Sequence, residues 1–227
     1  MSDDRLSWRL MAIATAPIII GLLLGWYWLD DQAKFFDENH TVEILSLIVL
    51  LQGAAFWFVI NGSEGWREWQ IPALFILFAM REQDFDKAFT SSGLLQLRTF
   101  TKDAPWQERL LSAIIIAFLL LCLWRIARRN LPGWWRDLKN FQGYAITLLA
   151  AGILGLVGKC LDGLARKLFD FGIVIDQETS DLVGRFEETS ELAAWWLLCL
   201  SVPLWHLART GNRRQPPEQW QAGIKDL

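Results

Sequence analysis

The sequence predicts an all-α protein, a polytopic transmembrane helical bundle of about six spans with both termini in the cytoplasm. Three observations predict this fold class. Of the 227 residues, 53% are hydrophobic, and the mean hydropathy is +0.23, as expected for a helical membrane bundle. Apolar runs close to the length of a bilayer crossing recur along the chain, and many of the 14 tryptophans stand where these runs end.

A helix needs about 20 mostly apolar residues to cross a bilayer. Six segments approach this length, at residues 10–29, 41–60, 71–82, 110–124, 141–158 and 192–207. The third is short, because its apolar part ends at Met80 and reaches membrane thickness only by continuing through Arg81 and Glu82. We predict it as a span, with a core helix or a re-entrant segment as alternatives.

Tryptophan and arginine positions orient the predicted spans. Indole rings prefer headgroup depth, and the span ends carry Trp26, Trp28, Trp66, Trp69, Trp124, Trp134, Trp135 and Trp205. Arginine concentrates in the short segments 125–129 and 213–214, which fall on the same side as both termini. This pattern predicts that the termini are cytoplasmic. Of the 25 acidic residues, 18 then fall on the outer side.

The connections belong to one transmembrane domain, predicted at residues 1–209. Leu161, Leu164 and Leu168 recur at helical spacing, which predicts an amphipathic external helix at about 160–169. A glycine and two prolines after the last span predict a flexible cytoplasmic tail at 210–227. The first apolar run is too long for a cleaved signal peptide and lacks its cleavage site, so we expect a retained span.

Several kinds of site are disfavoured by the sequence. Cys122, Cys160 and Cys199 lie in or beside spans without a CxxC or Cys/His cluster, so no disulfide framework or zinc site is predicted. The chain contains neither a glycine-rich phosphate loop nor a known hydrolase motif. The net charge of −3 gives no reason to expect a nucleic-acid partner.

Charged side chains instead gather at the outer ends of the predicted spans. Residues three or four apart share a helix face, as in the pairs Glu82/Asp86 and Glu187/Glu191. Ionisable groups at this depth are costly unless paired, and they are therefore candidates for function. The candidates are His40, Glu43, Arg81, Glu82, Asp86, Lys159, Asp162, Glu187, Glu188 and Glu191.

Three interpretations of this cluster stay open. The acids pair with nearby Lys and Arg to fix helix order or to face a partner. Alternatively, carboxylates from several helices and one imidazole hold a divalent metal, with His40, Glu43, Glu82, Asp86, Glu187 and Glu191 as weak candidate ligands. In the third interpretation, a carboxylate pair carries protons or cations through a transporter.

Small residues predict close helix packing, either within the monomer or at a homodimer face. The first span contains a GxxxG pattern and the fifth repeats glycine every third residue. The residues concerned are Gly21, Gly25, Gly152, Gly155 and Gly158.

Three short segments also resemble patterns in a group of uncharacterised bacterial inner-membrane proteins with about six spans. They are residues 42–47 (VEILSL), 81–89 (REQDFDKAF) and 185–192 (RFEETSEL). The resemblance implies a multi-pass protein of the bacterial inner membrane, and it implies no activity.

The sequence leads us to expect a non-enzymatic envelope component that docks or organises a partner through its acidic outer face. The alternatives are a metal-dependent hydrolase or transferase acting on a lipid, and a proton- or cation-coupled transporter. No cofactor is predicted, apart from the divalent metal of the second interpretation. The expected partners are the lipid bilayer and a protein, which can be a second copy of this chain.

Overall fold

The computed structural model describes residues 3–28, 41–83 and 105–214, and within these ranges it contains helices and no strand. The helices are α1 (Asp3–Trp28), α2 (Thr41–Asn61), α3 (Gln70–Glu82), α4 (Trp106–Arg129), α5 (Leu131–Lys139), α6 (Gly143–Leu161), α7 (Leu164–Asp170) and α8 (Gln177–Arg214), with a 3₁₀ helix (Gly62–Glu68) before α3. The all-α prediction is therefore confirmed for this part of the chain.

Five of the described helices, α1, α2, α4, α6 and α8, are long and apolar enough to cross a membrane. They indicate a multi-pass membrane protein. The short α3 has 13 residues, which is about 20 Å of helix against a hydrocarbon core of about 30 Å. The crossing predicted at residues 71–82 therefore stays a prediction.

Two helices extend well beyond the apolar runs from which we predicted them. α4 covers Trp106–Arg129 where the prediction was 110–124, and α8 covers Gln177–Arg214 where it was 192–207. Hydropathy detects only the part of a helix that lies in lipid, whereas helical structure continues into polar turns. The predicted tail at 210–227 is wrong for its first residues, since α8 continues to Arg214, and residues 215–227 lie outside the described ranges.

Left-handed backbone at two positions sets boundaries that the sequence analysis placed differently. Phe141 has a φ of 54° and lies between α5 and α6, so α6 begins at Gly143 and not at residue 141. Gly163 has a φ of 61° and separates α6 from α7. Glycine adopts this conformation at little cost. The amphipathic helix predicted at 160–169 is therefore divided between the last turn of α6 and the short α7.

The core forms where α2 and α8 pack against each other. α1 packs on both, α6 packs on α8, and α3 packs on α2 and also contacts α4. Val49, Leu50 and Cys199 are fully buried in this core. A Cβ at Gly53 would lie 2.2 Å from the Phe75 ring, so the glycine lets α3 approach α2 closely.

The bundle has two polar ends, named here after a residue at each. At the Arg209 end, Ser7 Oγ of α1 lies 2.9 Å from His206 Nδ1 of α8. At the Glu191 end, the last turn of α6 meets α8 through Lys159 and Glu191. Both the start of α1 and the last turns of α8 thus lie at the Arg209 end.

The short α3 connects these two ends. Its first residue, Gln70, accepts a hydrogen bond from Arg125 near the end of α4. Its last residue, Glu82, lies within electrostatic range of Glu191 and Glu43. α3 therefore has the direction of a crossing helix although it is shorter than one.

Candidate functional site

Lys159 and Glu191 form the centre of the charged cluster that we predicted from the sequence. Lys159 Nζ, in the last turn of α6, lies 2.7 Å from Glu191 Oε1 in α8. The Glu191 side chain is 13% exposed and that of Lys159 39%. A Cβ at Gly158 would lie 2.7 Å from Glu191 Cγ, so the glycine leaves space for this carboxylate. The ion pair joins α6 to α8.

The other described candidates surround this pair. Glu82 lies within electrostatic range of Glu191, Lys159, Arg81 and Glu43. Glu188 faces a similar set of carboxylates, Glu187 lies near Asp162 and Glu191, and Asp162 Oδ2 is 3.5 Å from Lys159 Nζ. The structure thus brings together Glu43, Arg81, Glu82, Lys159, Asp162, Glu187, Glu188 and Glu191. His40 and Asp86 lie outside the described residues.

The described part of this cluster contains six acids and two bases, Arg81 and Lys159. No three His, Cys, Asp or Glu side chains in the described ranges are placed to hold a metal ion. Four of the six weak candidate ligands, Glu43, Glu82, Glu187 and Glu191, are described, and they do not form such a group. Lys159 offsets the charge of Glu191 and Asp162 directly, and Arg81 and Lys159 both lie within electrostatic range of Glu82.

The predicted packing glycines occupy different surroundings. A Cβ at Gly21 would meet the Leu45 side chain at 2.6 Å, which marks a close approach of α1 to α2, and one at Gly155 would contact Ala194 at 3.8 Å. A Cβ at Gly152 would meet no atom within 4 Å, so this glycine makes no close helix contact within the described part of the chain, and a homodimer face there stays a prediction. The side-chain surroundings of Gly25 are outside the described residues.

A buried polar network at the Arg209 end was missed in the sequence analysis. Gln70 is fully buried. Its Oε1 accepts a hydrogen bond of 2.7 Å from Arg125 Nε, and its Nε2 donates to Asn130 Oδ1 at 3.0 Å and to Glu68. Arg129 completes the network through an ion pair of 3.0 Å with Glu68. The network joins the start of α3 to the end of α4.

The sequence offers only a weak signal for this network. Gln70 is a neutral side chain between Trp69 and an apolar run, so it does not stand out as the charged residues at the span ends do. Its three partners, Glu68, Arg125 and Asn130, come from two segments more than 50 residues apart. Only the fold brings them together.

A large cavity among the described helices was also missed in the sequence analysis. It has a volume of about 1010 Å³ and is lined by α3, α5, α6 and α8, by the ends of α2 and α4 and by the 3₁₀ helix, with arginines and apolar side chains in the lining. α4 and α6 do not pack extensively on each other, so the space between them is open at the side. We call this space the cleft.

The cleft continues towards the Glu191 end. A second cavity of about 260 Å³ is bordered by Arg81, Lys159 and Glu191. Phe78, Leu148 and Leu198 line both cavities. The two cavities therefore adjoin each other along α3, α6 and α8, between the two polar ends, and these three side chains separate them.

The first turns of α8 form a polar segment beyond Glu191, which we call the acidic extension (residues 176–190). Asp176 Oδ1 accepts a 2.7 Å hydrogen bond from the Thr179 backbone N–H and so caps the helix. Hydrogen bonds from the backbone and the side chain of Thr179 hold the pKa of the Asp176 carboxyl below its usual value. Leu182 and Phe186, one turn apart, are 53% and 59% exposed.

Comparison with known proteins does not assign this chain to a family. No protein-family model, no curated protein and no solved structure matches it.

Proposed function

We propose that this protein is a non-enzymatic envelope component that docks a protein partner through the acidic extension. The observation that carries this proposal is the exposure of Leu182 and Phe186 on a helix that is anchored at its base. These side chains are one turn apart on one face. Exposed apolar groups with a polar rim are typical of protein interaction sites.

The charge of the extension defines the partner. Residues 176–190 contain one basic residue, Arg185, and the acids Asp176, Glu178, Asp181, Glu187 and Glu188. A partner segment with basic side chains around an apolar stripe complements this surface. At 1.5 Å per residue the extension is about 20 Å long, which is long enough to receive a short helix.

The Lys159–Glu191 pair has a structural part in this proposal. It lies where the extension meets α6. By holding α8 against α6 at this point, the pair keeps the extension in a fixed direction. A rigid docking surface loses less conformational entropy on binding than a flexible one.

The docking proposal predicts a site-specific crosslink. A photoreactive phenylalanine analogue at Phe186 in the full-length protein should capture one partner in cells. The same analogue at Phe141, which is 82% exposed between α5 and α6, is the matched control. We expect a crosslinked species with the probe at Phe186, and its loss when Leu182→Glu is added. Equal capture at both positions, or capture of lipid alone, would contradict the proposal.

For the membrane setting we propose the bacterial inner membrane, with the Glu191 end in the periplasm, both termini in the cytoplasm and α3 as a sixth crossing. The support comes from the arginines at the Arg209 end. It also comes from the direction of α3 and from the Ser7–His206 bond, which joins the start of α1 to the last turns of α8 at one end of the bundle.

Reporter fusions test this topology. A periplasm-active phosphatase fused after Gly93 should be active, and the same enzyme fused after Arg214 should be inactive. A reporter that works only in the cytoplasm should give the opposite pattern. If both phosphatase fusions were inactive, α3 would not cross the membrane and the predicted sidedness of the acidic extension would need revision.

Two alternatives remain as proposals. A metal-dependent lipid hydrolase or transferase requires His40 and Asp86 to complete a ligand set that the described carboxylates do not form. A proton- or cation-coupled transporter is favoured by the cleft, because its two cavities run between the polar ends. Unchanged cation uptake and efflux in a strain lacking this protein would exclude the transporter interpretation.

A further inference from the structure

We propose that the cleft is a binding site for an anionic phospholipid, with the headgroup beside Arg209 and an acyl chain between α6 and α8. This site lies at the opposite end of the bundle from the acidic extension, and it is independent of the docking function. The proposal rests on the balance of charge at the rim, on the apolar interior and on the side opening.

The rim of the cleft carries one cation in excess. Three of its arginines are each paired with a carboxylate that also lines the cleft, at N–O distances of 3.0 to 3.4 Å: Arg67 with Glu64, Arg129 with Glu68, and Arg136 with Asp137. Arg209 is the fourth. Among the described residues it forms no ion pair within 4 Å.

The surroundings of Arg209 hold its guanidinium at the mouth. The guanidinium lies over the Trp205 ring, 4.3 Å from the centroid, and within electrostatic range of the Tyr144 hydroxyl, as does Arg136. Arginine is suited to phosphate because its planar fork donates two parallel hydrogen bonds. Tryptophan and tyrosine beside it are typical of headgroup depth. The site therefore favours a phosphate at the membrane surface.

The interior of the cleft is suited to a hydrocarbon chain. Phe78, Leu148 and Leu198 lie where the two cavities meet, and Phe75 and Val202 line the larger one. The larger volume, about 1010 Å³, is at the upper end of the range for ligand pockets. A soluble anion would leave these apolar surfaces uncovered, whereas a phospholipid covers them and enters from the bilayer between α4 and α6.

Gly152 is the position at which the proposed binding site for the acyl chain is tested. It lines the smaller cavity, and a Cβ there would meet no atom within 4 Å. A leucine at Gly152 therefore places its side chain in the space assigned to the acyl chain. Leucine has a higher helix propensity than glycine, so α6 is retained.

The experiment is native mass spectrometry of the full-length protein in a mild detergent, after delipidation. Phosphatidylglycerol and phosphatidylcholine with the same acyl chains are added separately. We expect phosphatidylglycerol to bind with higher affinity. Arg209→Gln should weaken its binding about fivefold, the effect of one arginine near an anionic lipid. Arg209→Lys should keep most of the preference, and Gly152→Leu should weaken both lipids.

Arg128→Gln is the matched control for Arg209→Gln. Arg128 also lies over a tryptophan four residues earlier, 5.6 Å from the Trp124 ring centroid, but it does not line the cleft. Arg128→Gln should therefore leave the binding of phosphatidylglycerol unchanged. Gly184→Leu, where a Cβ also meets no atom within 4 Å, controls for Gly152→Leu.

Three results would overturn the proposal. They are equal binding of the two lipids, equal effects of Arg209→Gln and Arg128→Gln, or full binding by Gly152→Leu. Competition by millimolar inorganic phosphate that removes the lipid would instead assign the rim to a small soluble anion. Thermal unfolding of each variant in the same detergent shows that the fold is retained.

Discussion

Replacing Glu191 by alanine should lower the free energy of unfolding by about 2 kcal/mol, because Lys159 would lose its nearest partner in a partly desolvated position. Removing one member of a fully buried pair costs about 3–5 kcal/mol. The expected loss is smaller here because the Lys159 side chain is 39% exposed and water can compensate part of it. Detergent-induced unfolding of the purified full-length protein, followed by circular dichroism, measures the change.

A double-mutant cycle separates the ion pair from the rest of the cluster. Lys159→Met and Glu191→Leu should each destabilise the protein, and the double variant should recover most of the loss, because neither member of the pair is then left without the other. Asp162→Ala is the control. Asp162 is 3.5 Å from the same amine, but its side chain is 51% exposed, so its removal should change stability by less than about 0.5 kcal/mol.

The outcome of this cycle decides what the cluster does. Recovery in the double variant, with the Phe186 crosslink retained, would identify Lys159 and Glu191 as structural, which is the interpretation that the docking proposal needs. A double variant as unstable as Glu191→Ala would contradict it. The electrostatic coupling would then extend to Glu82 and Glu188, both of which lie in range of Glu191.

The parts of the fold that sequence could predict are those with a one-dimensional signal. Apolar runs located α1, α2, α4, α6 and the lipid-facing part of α8. Charges near the ends of these runs identified Glu82, Lys159 and Glu191, because a charge at the edge of a span is unusual wherever the other helices lie. The apolar runs do not mark the helix ends, such as Gln177 at the start of α8, since polar turns carry no hydropathy signal.

The cleft and the Gln70 network could not be predicted in this way. Both depend on which helices are neighbours. The cleft exists because α4 and α6 stand apart while α5 joins them, and a run of leucines does not reveal whether it faces a helix, lipid or an open space. Gly152 illustrates the limit: its spacing was that of a packing glycine, yet it borders the cleft.

Replacing Gln70 by leucine should be as damaging as any single change in this chain, with an expected loss of about 3 kcal/mol in the free energy of unfolding. Leucine fills the same fully buried position, so packing is largely kept. It removes an acceptor from Arg125 and a donor from Asn130. Buried polar groups left without partners cost about 1–3 kcal/mol each. Glu68, Arg125 and Asn130 are half-buried, so each should contribute near the lower end of this range.

Gln52→Leu is the matched control, since it makes the same replacement in α2. Gln52 Oε1 is buried without a hydrogen-bond partner among the described residues, and its Nε2 makes one bond of 3.3 Å to Ile13 O. Removing an unsatisfied polar atom should leave stability unchanged or raise it slightly. Unfolding of both variants under the conditions used for Glu191 compares them directly. If the two substitutions cost the same, the network would contribute nothing specific, and α3 would be held to α4 by other contacts, such as the stacking of Trp69 on Phe118.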